Sequence, residues 1–395
     1  MVAYATRAGE ASVWTALSNE ESVLVPAPGL KKGRTSVVVV TNQTSPYQVE
    51  FMDAIAHEGA IDLRVVYLHS RRPGRQWIQP KVEHEHVILD EDPARFRTAQ
   101  RWVESADLAV FGYYRDPFAA ELIQLRSAQR RPWCFWGERM GVTRGAWAGA
   151  FYRRWKLRAL HRDPAGIWGI GEFALENYRR EFGNNRVYCN VPYFSNLDRF
   201  RASRSGRRRE ERKILFSGAF IPRKGVDVLA SAFREVAREF SNLELTLLGD
   251  GDERQRLETE LAECGARVTF AGFQEWSKLP QFYRDADVLC VPSRHDGWGL
   301  VVPEGLASGL PVIGTRQTGA ARELIHDGEN GWLIDAGDPQ QLAEALRSAA
   351  RLTCDQLEAM SCAAMQSVAE HQLTDGIRRF NSAVVATLEG RRANE

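Results

Sequence analysis

The sequence has few of the features that mark membrane, secreted or nucleic-acid-binding proteins. It contains no apolar run approaching about 18 residues, the length that a membrane-spanning helix needs. Its 52 basic and 51 acidic residues leave a formal charge of +1, so no overall field attracts nucleic acid or an anionic membrane. Residues 1–34 lack the basic start and apolar core of a secretion signal, and we expect them to form an N-terminal extension.

Cysteine is scarce and shows no pairing pattern. The six cysteines include no C-x-x-C pair and have no histidine ligands nearby, which argues against a zinc site. Cys134, Cys189 and Cys290 lie in apolar runs that are typical of buried strands. We therefore expect reduced core thiols and a cytoplasmic protein, with no metal and no resident cofactor.

The sequence does contain a repeated alternation of apolar runs and helical segments. With 395 residues, 44% of them hydrophobic, the chain is long enough for two or three domains. Buried strands followed by a polar loop and a helix are predicted at 36–41, 108–112, 131–136, 214–218 and 243–248. This alternation predicts Rossmann-like domains with parallel sheets. The first loop, Asn42–Tyr47, has no G-x-G-x-x-G run, so a dinucleotide cofactor is not indicated.

The most informative stretch is 290–315. The apolar run at 288–292 is predicted to be a buried strand, and a glycine-containing loop leads from it into a short helix at 300–308. A second apolar strand is predicted at 311–315. In open α/β sheets, ligands bind beyond the carboxyl ends of the strands, which is where this loop should lie.

The loop has the chemistry of a phosphate site. Gly297 and Gly299 permit a positive φ and close approach of a ligand to the backbone. Free amides are expected at the N-terminus of the following helix, where phosphate binds well. The residues that supply them are Gly299, Leu300 and Val301.

Two carboxylates flank the same loop. Asp296 and Glu304 are separated by seven residues, and carboxylates are strong acceptors for sugar hydroxyls. Phosphate-binding amides beside hydroxyl-binding acids indicate a nucleotide sugar. This pattern, with the Gly-Leu-Pro-Val segment that follows it, resembles the signature of the family-4 retaining glycosyltransferases. The first acid of that signature is normally a glutamate, so Asp296 is one methylene shorter.

The resemblance implies an α/β architecture of the GT-B type. Two Rossmann-like domains would face each other across a cleft, and a C-terminal helix would cross back to the first domain. The implied divisions are the extension at 1–34, an acceptor-side domain at 35–200, a basic linker at 201–213, a nucleotide-sugar domain at 214–372 and the terminal helix at 373–395. The likeness is strong after residue 214 and weak before it.

The resemblance also implies residue roles. Arg223 and Lys224 match the basic residues that neutralise the donor diphosphate. Glu304 matches the acid that holds ribose hydroxyls, and Asp296 the acid that orients the sugar. Other expected donor contacts are Gly218, Phe273, His295, Gly297, Gly299, Leu300, Val301 and Gly319. Asp250 and Asp252 have D-x-D spacing, but we interpret them as a turn in which Asp252 caps the next helix, without metal.

The acceptor side is less defined. Asp116 and Glu138 follow buried strands and are candidates for the base or orienting acid. Alternatively, Asp116 caps a helix and Glu138 forms a charge network with Arg139. The glycines and histidine that family members often have in the first loop are missing. The basic, aromatic segment 150–162 is either a peripheral membrane contact or an amphipathic helix packed on the sheet.

The sequence as a whole predicts a retaining, metal-independent glycosyltransferase. It would move a sugar from a nucleoside diphosphate sugar to a carbohydrate or lipid-linked hydroxyl acceptor, in polysaccharide, glycolipid or glycoconjugate biosynthesis. Two alternatives stay open. One is a nucleotide-sugar 2-epimerase on the same fold, which needs no acceptor. The other is a non-catalytic nucleotide-sugar-binding partner of another transferase. No nucleic-acid partner is expected.

Overall fold

The fold consists of two parallel sheets, each enclosed by helices. The computed structural model describes residues 34–392 except 71–78, 91, 93, 115, 141–153, 155–156, 163 and 202–210. Several predicted segments therefore lie outside the described residues. These are nearly all of the N-terminal extension, most of the linker, and much of the basic segment 150–162.

The first sheet has seven described strands. They are β1 Thr35–Gln43, β2 Ile61–His69, β3 Glu85–Ile88, β4 Leu108–Phe111, β5 Trp133–Gly137, β6 Gly166–Gly169 and β7 Val187–Asn190. All are parallel, in the order β3-β2-β1-β4-β5-β6-β7. The helices around it are Pro46–Glu58, Arg95–Ser105, Pro117–Ala128, Arg158–Arg162 and Glu172–Phe182. Alternate valines of β1 belong to different core clusters, as expected for a strand covered on both faces.

The second sheet has six described strands. They are β8 Arg212–Ser217, β9 Leu243–Leu248, β10 Val268–Gly272, β11 Val288–Val291, β12 Val312–Thr315 and β13 Gly331–Ile334, in the order β10-β9-β8-β11-β12-β13. Its helices are Val226–Val236, Arg254–Leu261, Leu279–Asp285, Val301–Ala307, Gly319–Leu324, Pro339–Arg351 and Cys354–Ser367. In both sheets the strand order reverses beside the first strand. This reversal creates a crevice at the carboxyl ends, where ligands bind in such folds.

The last helix, Leu373–Arg392, crosses back to the first domain. Phe380 packs its ring edge-on against Phe51 and Trp168 of that domain, at centroid distances of 6.1 and 5.3 Å. Trp168 Nε1 donates a hydrogen bond of 2.9 Å to Thr387 Oγ1. The predicted architecture of two Rossmann-like domains with a returning helix is therefore confirmed.

Some local predictions differ from the structure. Strand β3 and the helix Arg95–Ser105 were not predicted. The helix after the D-x-D turn begins at Arg254 with Glu253 at its N-cap and no side-chain cap, so the predicted cap by Asp252 is wrong. Asp250 instead accepts a 2.8 Å hydrogen bond from the amide of Gly251. Within the described ranges, no helix is long and apolar enough to cross a membrane.

Candidate active site

The loop between β11 and the helix Val301–Ala307 is held in place by backbone contacts. Asp296 forms an isolated bridge with Thr318, and its amide donates to the carbonyl of Gln317 at 3.2 Å. The loop therefore lies beside the segment that begins the helix Gly319–Leu324. Both segments follow adjacent parallel strands, so they share one edge of the sheet.

The predicted cations and the first predicted acid meet at this edge. Lys224 Nζ lies 2.5 Å from Asp296 Oδ2, and Arg223 Nη1 lies 3.9 Å from Asp296 Oδ1. Arg223 also donates to the carbonyl of His295 at 2.9 Å. Two cations against one carboxylate leave a local excess of positive charge, which attracts an anionic ligand.

Gly225 allows the basic turn to approach the loop. Its φ is 68°, and a Cβ built on it would lie 2.0 Å from the carbonyl oxygen of Pro292. Real Cβ atoms do not come that close to a backbone oxygen. Glycine is therefore required here if Arg223 and Lys224 are to reach Asp296.

Glu138 of the first domain contacts the loop from the other side. Its Oε2 lies 2.0 Å from the place that a Cβ on Gly297 would take. Gly297 does not have a positive φ, so that prediction is wrong, and glycine is needed here for this close approach. Gly299 does have a positive φ, of 90°. Residue 297 is therefore where the two domains meet.

The environment of Glu138 raises the pKa of its carboxyl. The side chain is exposed, but partial desolvation where it meets the loop raises the pKa, and the nearby Asp296 carboxylate raises it further. The charges of Arg223 and Lys224 and a hydrogen bond donated by the hydroxyl of Tyr193 oppose this shift. A carboxyl with a perturbed pKa beside a cavity is suited to accept a hydrogen bond or a proton during catalysis.

Arg139 links the two domains rather than pairing with Glu138. Its guanidinium donates to Gln317 Oε1 at 2.7 Å and to the Gln317 carbonyl at 3.1 Å, and it contacts His295 Nδ1. The predicted Glu138–Arg139 network is thus replaced by two separate sets of contacts. Burial lowers the pKa of His295, and the Arg139 charge lowers it further.

Trp298 anchors the loop between its two glycines. The indole is 1% exposed and stacks on His371 with ring centroids 5.6 Å apart, and His371 in turn stacks on Phe194. Phe194 belongs to the first domain and His371 precedes the returning helix. This three-ring stack fixes the loop against both, a role that the sequence analysis missed.

Glu304 is buried beneath the domain boundary. The hydroxyl of Tyr283 donates to its Oε2 at 3.1 Å, and burial raises the pKa of Glu304 to about 7. Arg199 of the first domain stacks on Trp276 at 3.8 Å and pairs with Glu50 beside it. A ribose could reach Glu304 only by displacing part of this Arg199, Trp276 and Glu50 cluster. The ribose role of Glu304 therefore stays a prediction.

Asp116 lies away from these groups. It caps the helix Pro117–Ala128 by accepting from the amide of Phe118 at 2.9 Å, and its other oxygen lies 3.2 Å from His69 Nε2. The capping interpretation is thus confirmed. Asp116 is not among the residues that line the cavity described next.

A cavity of about 430 Å³ opens in the first domain beside Glu138. It lies at the carboxyl ends of β1, β4 and β5. Its lining is Thr41, Asn42, Gln43, Ser45, Tyr47, Gln48, Gly112, Tyr113, Tyr114, Phe135, Gly137, Glu138, Arg139, Met140, Leu157, Leu160, Tyr178 and Tyr193. The leucines come from the basic segment 150–162, of which residues 154 and 157–162 are described. The polar run after the first strand was the one sequence signal that pointed to this cavity.

The remaining predicted donor residues differ in how they lie relative to this loop. Gly319 lies against the loop, because a Cβ there would come within 2.5 Å of the Gly297 carbonyl oxygen. Gly218 packs its carbonyl against Gly249, and Phe273, just past β10, is 41% exposed. Leu300 and Val301 begin a helix of only seven residues. Among the described residues, no cluster of three or more His, Cys, Asp or Glu side chains is placed to hold a metal ion.

The second domain also caps a helix of the first. The helix Glu172–Phe182 begins after Gly171, which has no side chain to act as a cap. The carboxylate of Glu323 supplies the missing acceptor to the amide of Glu172. The ring of Phe173 lies under the guanidinium groups of both Arg139 and Arg322, at 4.5 and 4.3 Å. These contacts hold the two domains together next to the site.

Comparison with known proteins gives one family match. Residues 198–366 match the family described as "Glycosyl transferases group 1". The phosphatidyl-myo-inositol mannosyltransferase of Mycobacterium leprae is 30% identical over 235 residues, 58% of this chain and 59% of that protein. The lipopolysaccharide core biosynthesis glycosyltransferase LpsE of Rhizobium meliloti is 39% identical over 136 residues, 34% of this chain and 38% of that protein. Both alignments span less than two thirds of the relative.

Solved structures match over most of the chain. The Anabaena protein Alr3699/HepE in complex with UDP superposes with a TM-score of 0.70 at 15% identity, covering 89% of this chain and 99% of that one. Sucrose-phosphate synthase from Thermosynechococcus elongatus superposes with a TM-score of 0.67 at 21% identity, covering 91% and 98%. At these identities the likeness establishes the fold.

Proposed function

We propose that the chain moves a sugar from a nucleoside diphosphate sugar to a hydroxyl acceptor, a proposal supported by the match of residues 198–366 to the family described as "Glycosyl transferases group 1". One observation carries the proposal. Arg223, Lys224 and Asp296 of the second domain meet Glu138 of the first beside an open cavity. This arrangement provides separate places for a charged donor and an acceptor, with acidic groups between them.

The cations would hold the donor diphosphate. In the structure Lys224 and Arg223 are balanced by Asp296. A bound diphosphate would compete for both cations and release Asp296 to accept hydrogen bonds from sugar hydroxyls. The same cations would stabilise the negative charge that grows on the departing diphosphate. We therefore propose a reaction in which protein cations provide that stabilisation without a metal.

Glu138 is placed to orient the acceptor. Its carboxyl lines the cavity and touches the loop at Gly297. We propose that it accepts a hydrogen bond from the acceptor hydroxyl, whose oxygen forms the new bond to the anomeric carbon. The bond from that carbon to the phosphate oxygen breaks, and its electron pair leaves with the diphosphate. The hydroxyl proton passes to the departing oxygen, and attack from the leaving-group face retains the configuration.

The names of the relatives suggest where such a reaction belongs. They include a phosphatidyl-myo-inositol mannosyltransferase and a lipopolysaccharide core glycosyltransferase, and one structural neighbour was solved with UDP. We propose glycolipid or surface polysaccharide biosynthesis as the setting. UDP-sugars are the first donors to test.

The decisive experiment incubates the protein with UDP-, GDP-, dTDP- and ADP-sugars and a panel of glycoside and lipid acceptors, and follows the products by mass spectrometry. The expected result is a glycoside whose anomeric proton coupling matches that of the donor, formed equally with and without EDTA. An isomerised nucleotide sugar formed without acceptor would favour the 2-epimerase alternative. Donor binding with no turnover on any acceptor would favour the non-catalytic partner.

A further inference from the structure

The cavity beside Glu138 has an unusual lining for a site next to a cluster of charges. Of the lining residues that the structure describes, only Glu138 and Arg139 are charged, and five are tyrosines. We infer that this cavity binds a neutral sugar residue of the acceptor, and that Asn42 and Gln43 determine its specificity by bonding to the ring hydroxyls. This inference rests on the proposed glycosyl transfer, because it names the acceptor class for that reaction.

The first argument comes from unpartnered amides. The side-chain oxygens of Asn42 and Gln43 are buried and have no hydrogen-bond partner among the described residues. Leaving such groups unpaired costs about 1–3 kcal/mol each. Each amide offers two donors and one acceptor, and rotation about its last bond can present either to the cavity. Hydroxyl groups, which both donate and accept, are the natural partners.

The aromatic side chains of the lining also fit a sugar. Tyr47 and Tyr193 lie with ring centroids 5.0 Å apart, and Tyr114 packs against Phe135. Tyrosine side chains pair an apolar face with a polar tip. Pockets for small ligands combine such surfaces with a few placed polar groups. A sugar ring has the matching pattern, with C–H faces and a hydroxyl edge.

The electrostatics of the cavity disfavour a phosphorylated group. Arg139 is the one cation among the described lining residues, and it already donates to Gln317 and contacts His295. A phosphate in the cavity would also face the carboxyl of Glu138. Burying charge without a dedicated partner is costly. The cavity is therefore suited to a neutral ring.

The experiment uses near-isosteric variants of the full chain, Asn42→Leu and Gln43→Met. Gln124→Met is the matched control, since Gln124 is exposed on a helix of the same domain. The probes are neutral p-nitrophenyl hexosides, glycerol phosphate and phosphatidylinositol vesicles. Binding of the soluble probes is measured by saturation-transfer NMR with UDP present, and vesicle binding by cosedimentation. Thermal unfolding of the apo protein monitors the fold.

We expect wild type and Gln124→Met to bind at least one hexoside and neither phosphate-bearing probe. Asn42→Leu and Gln43→Met should each weaken that binding about tenfold, as the loss of one good hydrogen bond predicts. Apo stability should be unchanged or higher, because each variant removes an unpaired buried polar atom. A purely structural role for either amide would instead lower it.

Two results would overturn the inference. One is binding only of the phosphate-bearing probes, and the other is hexoside binding that both variants leave unchanged. The proposed function fails in a different way. Hexosides would then bind and the variants weaken that binding, but no nucleotide sugar would be consumed.

Discussion

The two domains share a fold but present different chemistry at their facing edges. The second domain is organised by charge, with Lys224 and Arg223 set against Asp296 at distances of 2.5 and 3.9 Å. The first domain presents a cavity lined mainly by amides, hydroxyls and tyrosines. The difference supports the proposal that the second domain holds an anionic donor and the first a neutral acceptor. Glu138, in close contact with Gly297, lies between the charged edge of the second domain and the cavity of the first.

The largest effect should come from removing charge on the second domain. Lys224→Met should lower the rate of sugar transfer about 1,000-fold, because a group that stabilises the leaving charge is lost. Steady-state kinetics with the preferred donor measures this. Lys81→Met, at a lysine whose side chain is 88% exposed, is the control. If the rate in Lys224→Met fell less than threefold, the proposal that the second domain holds the anionic donor would be contradicted.

Glu138→Gln tests the acid that lies between the charged edge of the second domain and the cavity of the first. We expect transfer to fall about 100-fold while donor binding persists. Since partial desolvation and the neighbouring Asp296 carboxylate raise the pKa of Glu138, the wild-type rate should decline as the pH falls through that pKa, and the rate of the variant should not. Asp116→Asn provides the comparison with the other acidic candidate. If Asp116→Asn loses more activity than Glu138→Gln, the acceptor side has been assigned to the wrong acid.

Glu304 should make stability depend on pH. Burial raises its pKa from 4.5 to about 7, so between these values the native state holds a proton that the unfolded chain has lost. Stability should therefore fall as the pH rises through this window, by about 2–3 kcal/mol in total. Glu304→Gln, which cannot titrate, should lack this fall. Urea unfolding from pH 5 to 8 measures both proteins, and parallel curves would contradict the assignment.

The smallest effect concerns the contact between the domains. Glu323→Ala removes the acceptor that caps the helix Glu172–Phe182 and should cost about 1 kcal/mol of stability. Glu323→Gln should recover part of that loss. Glu329→Ala, at an exposed acid of the same region, is the control. Equal unfolding free energies for Glu323→Ala and Glu329→Ala would mean that the cap contributes nothing.

The same contrast explains what the sequence could predict. The loop after β11 is encoded in one continuous stretch, where glycine spacing and two acids each have a direct physical meaning. Asp296, Arg223 and Lys224 were accordingly predicted and found together. The alternating strands and helices also predicted both sheets, apart from the short strand β3.

The cavity beside Glu138 could not be predicted in the same way. Its lining comes from the ends of three strands and from residues far along the chain, namely Leu157, Leu160, Tyr178 and Tyr193, so no local spacing identifies it. Glycine at 297 was predicted because it permits a positive φ, but the structure needs it there for the close contact with Glu138. That contact depends on how the two domains pack. Arg139 likewise pairs across the domain boundary with Gln317, a choice that its sequence neighbours do not reveal.

The most direct test of the central claim is a calorimetric titration. The nucleoside diphosphate sugar selected in the donor screen is titrated into wild type and into Lys224→Met under identical buffer conditions. We expect saturable binding to wild type and binding at least about tenfold weaker in the variant, equivalent to about 1.4 kcal/mol. Equal affinity in the two proteins would contradict the claim that the charged edge of the second domain holds the donor.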